Sequence, residues 1–333
     1  MKVAVVGASG HTGRFVVEEL MRRGLAPVAV VRSEQRLRER GIDPQVIETR
    51  VASLGDPASL DRAFVDASAV VNCAGPFLDT AQSVVEAALR AGAHYFDLTA
   101  EQGSAQQTLA TYDSPARARG TVVLPAAGFY GALADLLATA TLGDWTKAAE
   151  IRTLVALDHW WPTRGTRQTG QRNTLPRFAM RNGQLEAIAA RASTTWQFPN
   201  PFGAQAVVEL PFSETILMAR HLKAAEIRHF ITEASLNDIR DATTPEPAAA
   251  DERGRSSQTF LMESVVRNDS QTRRLVARGR DIYAISAPIV VEAVDRVLRG
   301  EVRQSGAFAP AELFDATDFL RALSSHDLTV SEN

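Results

Sequence analysis

The sequence predicts an α/β fold: a doubly wound parallel sheet, followed by a second α+β domain built on a mostly antiparallel sheet. Three observations carry this reading. Short β-branched runs alternate with helix-compatible stretches as far as about residue 140. A glycine-rich turn stands between the first such run and the first helix, and after Asp144 the texture changes to longer alternating strands. The length of 333 residues, more than one core usually holds, fits two domains.

The first-domain strands are expected at Val3 to Val6, Pro27 to Val31, Gln45 to Glu48, Ala69 to Asn72, Tyr95 to Leu98 and Thr121 to Leu124. Between them, helical spacing runs over Arg14 to Arg23, Ser33 to Arg40, Pro57 to Phe64, Thr80 to Ala91 and Gln102 to Arg119, with Gly24, Gly41, Gly92 and Gly120 where C-terminal caps belong. Nearly unbroken apolar strands joined by helices imply a parallel sheet covered on both faces. Later strands are expected at Glu150 to Trp160, Ala206 to Leu210, Glu226 to Ala234, Gln258 to Asn268 and Gln271 to Ala277. Arg240 to Ser257 reads as a Pro/Ala-rich loop, and Ser286 to Arg299 as a helix with a buried stripe that packs back on the first domain. A short helix starts at Ala309-Pro310-Ala311-Glu312, and the tail from Ser324 is expected to fray.

Composition excludes several classes. A hydrophobic fraction of 45% and a charged fraction of 23% are globular values, and 36 basic against 39 acidic side chains give a net charge of −3, with no pull toward nucleic acid or anionic lipid. The single cysteine, Cys73, reads as a small buried hydrophobe in a reducing compartment. With no export signal and no apolar run of spanning length, a cytoplasmic location without a membrane span is expected. Lys2, Lys147 and Lys223 are the only lysines, and Tyr95, Tyr112, Tyr130 and Tyr283 are followed four residues on by Thr99, Ala116, Ala134 and Ala287. A tyrosine–lysine catalytic pair at that spacing is therefore absent. His221 and His229 lack the paired spacing of metal ligands, and no metal site is expected.

The sharpest motif is Gly7-Ala8-Ser9-Gly10-His11-Thr12-Gly13, set between a strand and a helix. In that context it reads as a Rossmann-type phosphate loop, in which Gly7 makes the tight turn, Gly10 lets backbone approach a pyrophosphate and Gly13 packs helix on strand. Ser9, His11 and Thr12 join the loop, with His11 as a filler facing the cofactor. Coenzyme choice is read at the end of the second strand. There Arg32 and Ser33 offer a guanidinium fork and a hydroxyl to a 2′-phosphate, favouring NADP(H) over NAD(H), although Arg32 also reads as one more solvated arginine beside Arg36, Arg38 and Arg40. Ser53 and Leu54 are weaker candidates for the adenine edge. The fourth strand ends in Ala74-Gly75-Pro76-Phe77, small residues at a sheet edge where a nicotinamide ribose can approach and Phe77 can wall the ring.

The loop Gly-Ala-Ser-Gly-His-Thr-Gly-Arg, the run Val71-Asn72-Cys73-Ala74-Gly75-Pro76-Phe77 and the segment Ala91 to Glu101 together resemble the saccharopine dehydrogenase-like NADP-binding reductases, which include saccharopine reductases and trans-acting enoyl reductases. The resemblance is specific over about residues 1 to 140 and faint afterwards, apart from the C-terminal helix and the phrase Phe308-Ala309-Pro310-Ala311-Glu312. It implies a second domain that binds a small-molecule substrate and builds a homodimer. The chain departs from the family at Thr99-Ala100-Glu101, usually Thr-Gly-Glu, and at Ala127-Gly128-Phe129, usually Pro-Gly-Phe, and shows no equivalent of an amino-acid carboxylate clamp. The expected division is 1–140 for dinucleotide binding, 141–285 for substrate and dimerisation, 286–323 for C-terminal helices packing back, and 324–333 as tail.

Catalytic candidates are Asp97, Thr99, Glu101 and Tyr130. The first three lie near the end of the fifth strand, where they orient substrate or relay a proton. Glu101 equally caps the helix beginning near Gln102. Gly128, Phe129 and Tyr130 read as a loop over the nicotinamide, with Tyr130 as hydroxyl donor, or alternatively as a connection packed by aromatics. His159-Trp160-Trp161-Pro162 and Arg164-Gly165-Thr166-Arg167 suit either a pocket wall or a core. Two readings stand: an NADPH-dependent oxidoreductase transferring a hydride to a C=N, activated C=C or C=O of a small metabolite, and a non-catalytic NADP(H)-sensing or interaction protein.

Overall fold

Five short, largely apolar runs, each too apolar to leave in water and too short for a helix, form the parallel core that their composition dictates. The computed structural model describes residues 1–39, 42–43, 45–189, 191–324 and 328–332. Its first stretch runs β1 (Lys2–Val6), α1 (His11–Arg22), β2 (Ala26–Val31), α2 (Glu34–Arg38), β3 (Glu48–Val51), α3 (Pro57–Ala63), β4 (Ala67–Asn72), α4 (Phe77–Arg90), β5 (His94–Asp97), α5 (Gln102–Arg119) and β6 (Val122–Leu124). A π-turn at Phe129–Leu133 leads into α6 (Ala134–Leu142). There follow β7 (Ala148–Leu157), α7 (Arg164–Arg172), β8 (Phe178–Arg181), β9 (Gln184–Ala187), β10 (Ser193–Gln197), β11 (Ala204–Glu209) and α8 (Ser213–His221). Then come β12 (Ala224–Thr232), α9 (Glu233–Arg240), β13 (Thr259–Arg267), β14 (Thr272–Arg280), α10 (Ser286–Leu298), β15 (Gly306–Ala307), α11 (Pro310–Leu313), α12 (Ala316–Leu323) and β16 (Thr329–Glu332).

The chain divides into two units, Met1–Gly128 with Ser286–Phe308, and Phe129–Ile285 with Ala309–Asn333. In the first unit seven strands order as β15-β6-β5-β4-β1-β2-β3, all parallel. Strand order reverses at β1, which lies between β2 and β4, so a ligand crevice opens at the carboxyl ends of β1 and β4. Helix α10 closes this unit against α1: Arg23 pairs with Glu292 and, through Nε, with Glu19 at 2.7 Å. Strand β15 adds Gly306 opposite Val122, and the Asp113 carboxylate accepts the Ala307 N–H at 3.0 Å.

The second unit is a nine-stranded sheet in the order β10-β11-β12-β7-β13-β14-β16, with β8 and β9 branching from β12. Among the described residues, β12 and β7 run parallel and the other pairs antiparallel. Leu154, Phe230, Leu261 and Val265 build the core on one face, where Phe198 and the partly buried Trp196 and Phe202 pack on them.

Several boundaries differ from the sequence reading. Strand β3 starts at Glu48 instead of ending there, because Asp43 takes the N–H groups of Gln45, Val46 and Ile47 into a turn and leaves Val46 exposed. Helix α1 starts three residues before Arg14, with Gly13 inside its first turn, and α4 begins at Phe77 instead of Thr80, directly after the cis Gly75-Pro76 bond. The first unit ends its first stretch at Gly128, not residue 140, and residues 309–323 belong with the second unit, not the first. The tail is not wholly frayed: Thr329–Glu332 extends the sheet, pairing Thr329 with Arg278 and Glu332 with Leu275. Strands β8, β9 and β10 lie outside the expected set because all three are short and β9 and β10 are largely exposed, so they lack an apolar alternation. Gly24, Gly92 and Gly120 do take the left-handed conformation after their helices. Arg40 and Gly41 lie outside the described residues.

Candidate functional site

The phosphate loop is shaped by its glycines. Gly7 leaves β1 at φ +77°, its N–H donates to the Val30 carbonyl at 3.1 Å, and its own carbonyl accepts the Gly10 N–H at 2.8 Å. A Cβ on Gly7 would stand 3.2 Å from Ala74 N and Cβ, so the β1 and β4 turns touch backbone to backbone at the crevice. A Cβ on Gly13 would come within 2.2 Å of the Gly7 carbonyl oxygen. Gly13 is thus the residue that lets α1 sit against the loop, pointing its first-turn amides and the positive end of its dipole into the crevice. Gly7, Ser9, Gly10, His11 and Thr12 are half-buried and Gly13 buried, with the His11 ring edge-on to Phe15 at 5.5 Å. This cradle fits a pyrophosphate.

The other cofactor candidates divide by surroundings. Arg32 follows β2 and is exposed at the carboxyl edge; Ser33 is the N-terminal cap residue of α2. Ser53 is exposed, and its backbone is held by the Ser59 hydroxyl, which accepts its N–H at 3.0 Å and donates to its carbonyl at 3.2 Å, while Leu54 is half-buried. Ala74, Gly75, Pro76 and Phe77 are all half-buried around the start of α4. Gly128 is buried, where a Cβ would meet Leu98 and Ser286 at 3.4 Å. Phe129 is different: it is buried in the second unit, edge-on to Phe260 at 4.8 Å, which is core packing and not an exposed wall. Burial also pushes the Cys73 thiol well up, which suits an inert side chain.

Among the catalytic candidates, the three on the first unit are bound up with backbone. Asp97 is fully buried; Oδ1 accepts the N–H groups of Thr99 at 2.9 Å and Ala126 at 2.8 Å, and Oδ2 accepts the Tyr95 hydroxyl at 2.9 Å. Burial raises its carboxyl to about 6 in spite of these bonds. Thr99 Oγ1 accepts the Glu101 N–H at 3.0 Å. Glu101 does not cap its own helix. Its carboxylate reaches the start of α4, taking the Phe77 N–H at 2.7 Å and the Leu78 N–H at 3.3 Å, and burial holds it above the usual carboxylate range. Their evident task is to fix the β5 turn and the α4 entry. Glu101→Ala is expected to cost about 1 kcal/mol of stability by leaving a helix N-terminus uncapped, and Glu101→Gln less, as read from the midpoint of urea unfolding.

Tyr130, expected on an open loop, is buried in the second unit. Its ring lies 4.3 Å from Phe212 and 5.6 Å from Trp160. Trp160 donates through Nε1 to the Tyr283 hydroxyl at 3.1 Å, and that hydroxyl also accepts the Thr163 N–H and bonds the Thr166 hydroxyl at 2.9 Å. The sequence reading passed over Thr153, Ser264 and Glu214 and considered His229 only as a metal ligand. A signal was present: each of the runs Ile151-x-Thr153-x-Val155, Ile227-x-His229-x-Ile231 and Met262-x-Ser264-x-Val266 sets a polar residue at an inward strand position. Among the described residues no cluster of three or more His, Cys, Asp or Glu side chains is placed to hold a metal, and no helix is long and apolar enough to cross a membrane.

A family model of NAD(P)H-binding domains matches residues 7–116. A lipid droplet localized protein of Caenorhabditis elegans is 34% identical over 146 residues, 40% of this chain and 34% of that protein. A saccharopine dehydrogenase-like oxidoreductase of Mus musculus is 32% identical over 158 residues, 40% of this chain and 35% of that protein. The matched stretch is thus about a third of the length of these relatives. Among solved structures, apo saccharopine dehydrogenase (L-Glu forming) of Saccharomyces cerevisiae superposes with a TM-score of 0.69 over 100% of this chain and 99% of that one, at 12% identity, which is a likeness of fold.

Proposed function

We propose, for a chain whose nucleotide-binding unit is similar to those of the saccharopine dehydrogenase-like proteins, the function of an NADPH-dependent oxidoreductase acting on a C=N, activated C=C or C=O of a small metabolite. The observation that carries this reading is the glycine cradle at the switch point of the parallel sheet, matched by the NAD(P)H-binding family model. When bound, the coenzyme supplies the hydride. The chain's own residues hold it: loop and α1 amides take the pyrophosphate, Ala74 to Phe77 border the ribose and ring, and Arg32 selects the 2′-phosphate. The preference for the phosphorylated coenzyme rests on the exposed guanidinium of Arg32 at the end of β2, where an acidic residue would instead favour a free ribose hydroxyl. Arg32→Ala is expected to weaken NADPH binding about tenfold, worth one charge-assisted contact, and to leave NADH affinity unchanged in titration calorimetry.

The backbone engagement of Asp97, Thr99 and Glu101 favours a mechanism in which these groups do not shuttle protons. It equally supports the second reading, a non-catalytic NADP(H)-sensing protein. Oxidation of NADPH with a panel of imines, enoyl compounds and carbonyls separates the two, since a sensor binds coenzyme and turns none of them over. A cytoplasmic homodimer is the accompanying proposal, supported by the single cysteine and by edge strand β10, where Ser193, Thr194, Thr195 and Gln197 are exposed.

A further inference from the structure

The second unit holds a buried polar cluster that core packing does not explain. Strand register sets three inward polar residues side by side across its centre: His229 on β12 opposite Thr153 on β7, and Thr153 opposite Ser264 on β13. All are buried. Glu214 at the start of α8, also fully buried, brings Oε1 to 3.6 Å from His229 Nδ1 while accepting the Phe212 N–H at 2.9 Å and the Thr215 hydroxyl at 3.0 Å. Tyr130 meets the His229 ring edge-on at 6.1 Å.

Three polar atoms of this cluster, Tyr130 Oη, His229 Nε2 and Ser264 Oγ, have no hydrogen-bond partner among the described residues. Leaving a buried polar atom unsatisfied is costly, and native cores seldom leave such atoms grouped. Tyr283 is the contrast: another buried tyrosine of the same unit, its hydroxyl engaged with Trp160, Thr163 and Thr166. The chemistry on offer is specific. Thr153 Oγ1 is 2.6 Å from His229 Nδ1, and with the Glu214 carboxylate facing the same nitrogen we place the imidazole proton there. Burial, helped by Arg177, holds the imidazole neutral by lowering its pKa to about 3. Nε2 is then an acceptor, and the Tyr130 and Ser264 hydroxyls can donate or accept. Burial raises the Glu214 carboxyl to about 7, against the opposing charge of Arg177, whose guanidinium lies 4.8 Å over the Phe212 ring.

We propose that Tyr130, His229 and Ser264 form the polar end of a small-molecule pocket inside the second unit, walled by Trp160 and Phe212, which takes an uncharged head group carrying both a donor and an acceptor, an amide or an alcohol, on a planar apolar body. The proposal rests on the oxidoreductase reading only where it takes the occupant to be the substrate. Benzamide is the probe, titrated into the full-length protein and followed by intrinsic fluorescence, with Trp160→Phe identifying the reporting indole. The expected result is saturable binding whose signal is lost in Trp160→Phe, weakened about fivefold in Tyr130→Phe and in Ser264→Ala, one hydrogen bond each. Both variants should melt at or above the wild-type temperature, because they remove unsatisfied groups. Benzamide binding that is absent in the wild type, or equal in all variants, overturns the pocket. So does a lowered melting temperature in both hydroxyl variants, which would mark these groups as ordinary structural partners, bonded to enclosed water only. NADPH calorimetry on the same samples keeps the readings apart: coenzyme heat without benzamide binding sinks the pocket alone, and benzamide binding without coenzyme heat sinks the oxidoreductase alone.

Discussion

Gly13→Ala is expected to abolish measurable coenzyme binding. The new methyl would stand 2.2 Å from the Gly7 carbonyl oxygen, and the next atoms in line are also backbone, the Gly7 carbonyl carbon at 2.9 Å and Ala8 Cα at 3.0 Å. No rotamer can yield there. Either α1 shifts away from β1 or the Gly7 turn opens, and both displace the amides that face the pyrophosphate. Overpacking of this kind costs about 1–3 kcal/mol of stability, and loss of the loop geometry should weaken NADPH by a hundredfold or more, which is about 3 kcal/mol. Titration calorimetry on folded material checks it. Gly24→Ala is the matched control, since it sits at the other end of the same helix with nothing within 4 Å of its Cβ position; its left-handed backbone costs stability but should leave affinity intact. Unaltered NADPH binding in Gly13→Ala would refute the cradle.

The second large effect is expected at Asp97. Replacing it by alanine strands two backbone N–H groups and the proton of the Tyr95 hydroxyl, whose oxygen keeps the Asn72 amide, in a fully buried place, and at about 1–3 kcal/mol per lost partner the loss should reach roughly 3–9 kcal/mol, enough to prevent soluble expression. Asn should keep most of the bonds. The acid also sets a pH dependence. Burial raises its carboxyl from 3.8 to about 6, so the folded state favours the protonated form relative to the unfolded chain. Its contribution to stability is therefore fully present below pH 4 and is lost as pH rises toward about 6, amounting to something like 3 kcal/mol at most. Melting temperatures of the wild type and Asp97→Asn measured from pH 4 to 7 should diverge in that direction, the wild type losing stability with rising pH relative to the variant.

The nucleotide-binding half was largely legible because its signals are local. A glycine triplet between a strand and a helix is specified within seven residues, and the runs of β1, β2, β4, β5 and β6 cannot be placed elsewhere than in a two-sided sheet. The failures have physical causes too. Gly13 packs helix on strand as expected, but it does so from inside the first turn, so α1 starts earlier than Arg14. Asp97 and Glu101 stand at a strand end, where carboxylates are often catalytic; what the sequence does not display is the backbone of residues 77, 78 and 126 that they also hold, which is set by tertiary approach. Tyr130 looked like loop because Gly128 and Gly131 flank it, yet the segment coils as a buried π-turn. The polar row of Thr153, His229 and Ser264 needed the pairing of three strands distant in sequence, which no single-strand pattern supplies.

The first unit is not a continuous piece of chain. Its sheet is finished by β15 and its α1 face by α10, both arriving after more than 150 residues that fold elsewhere. On the ribosome, then, the coenzyme domain stays incomplete until residue 308 has emerged, long after its glycine loop has been made, and the flank of β6 meanwhile waits as an open strand edge. Such late closure raises contact order and slows folding, and it ties the maturation of the nucleotide site to synthesis of the chain through residue 308.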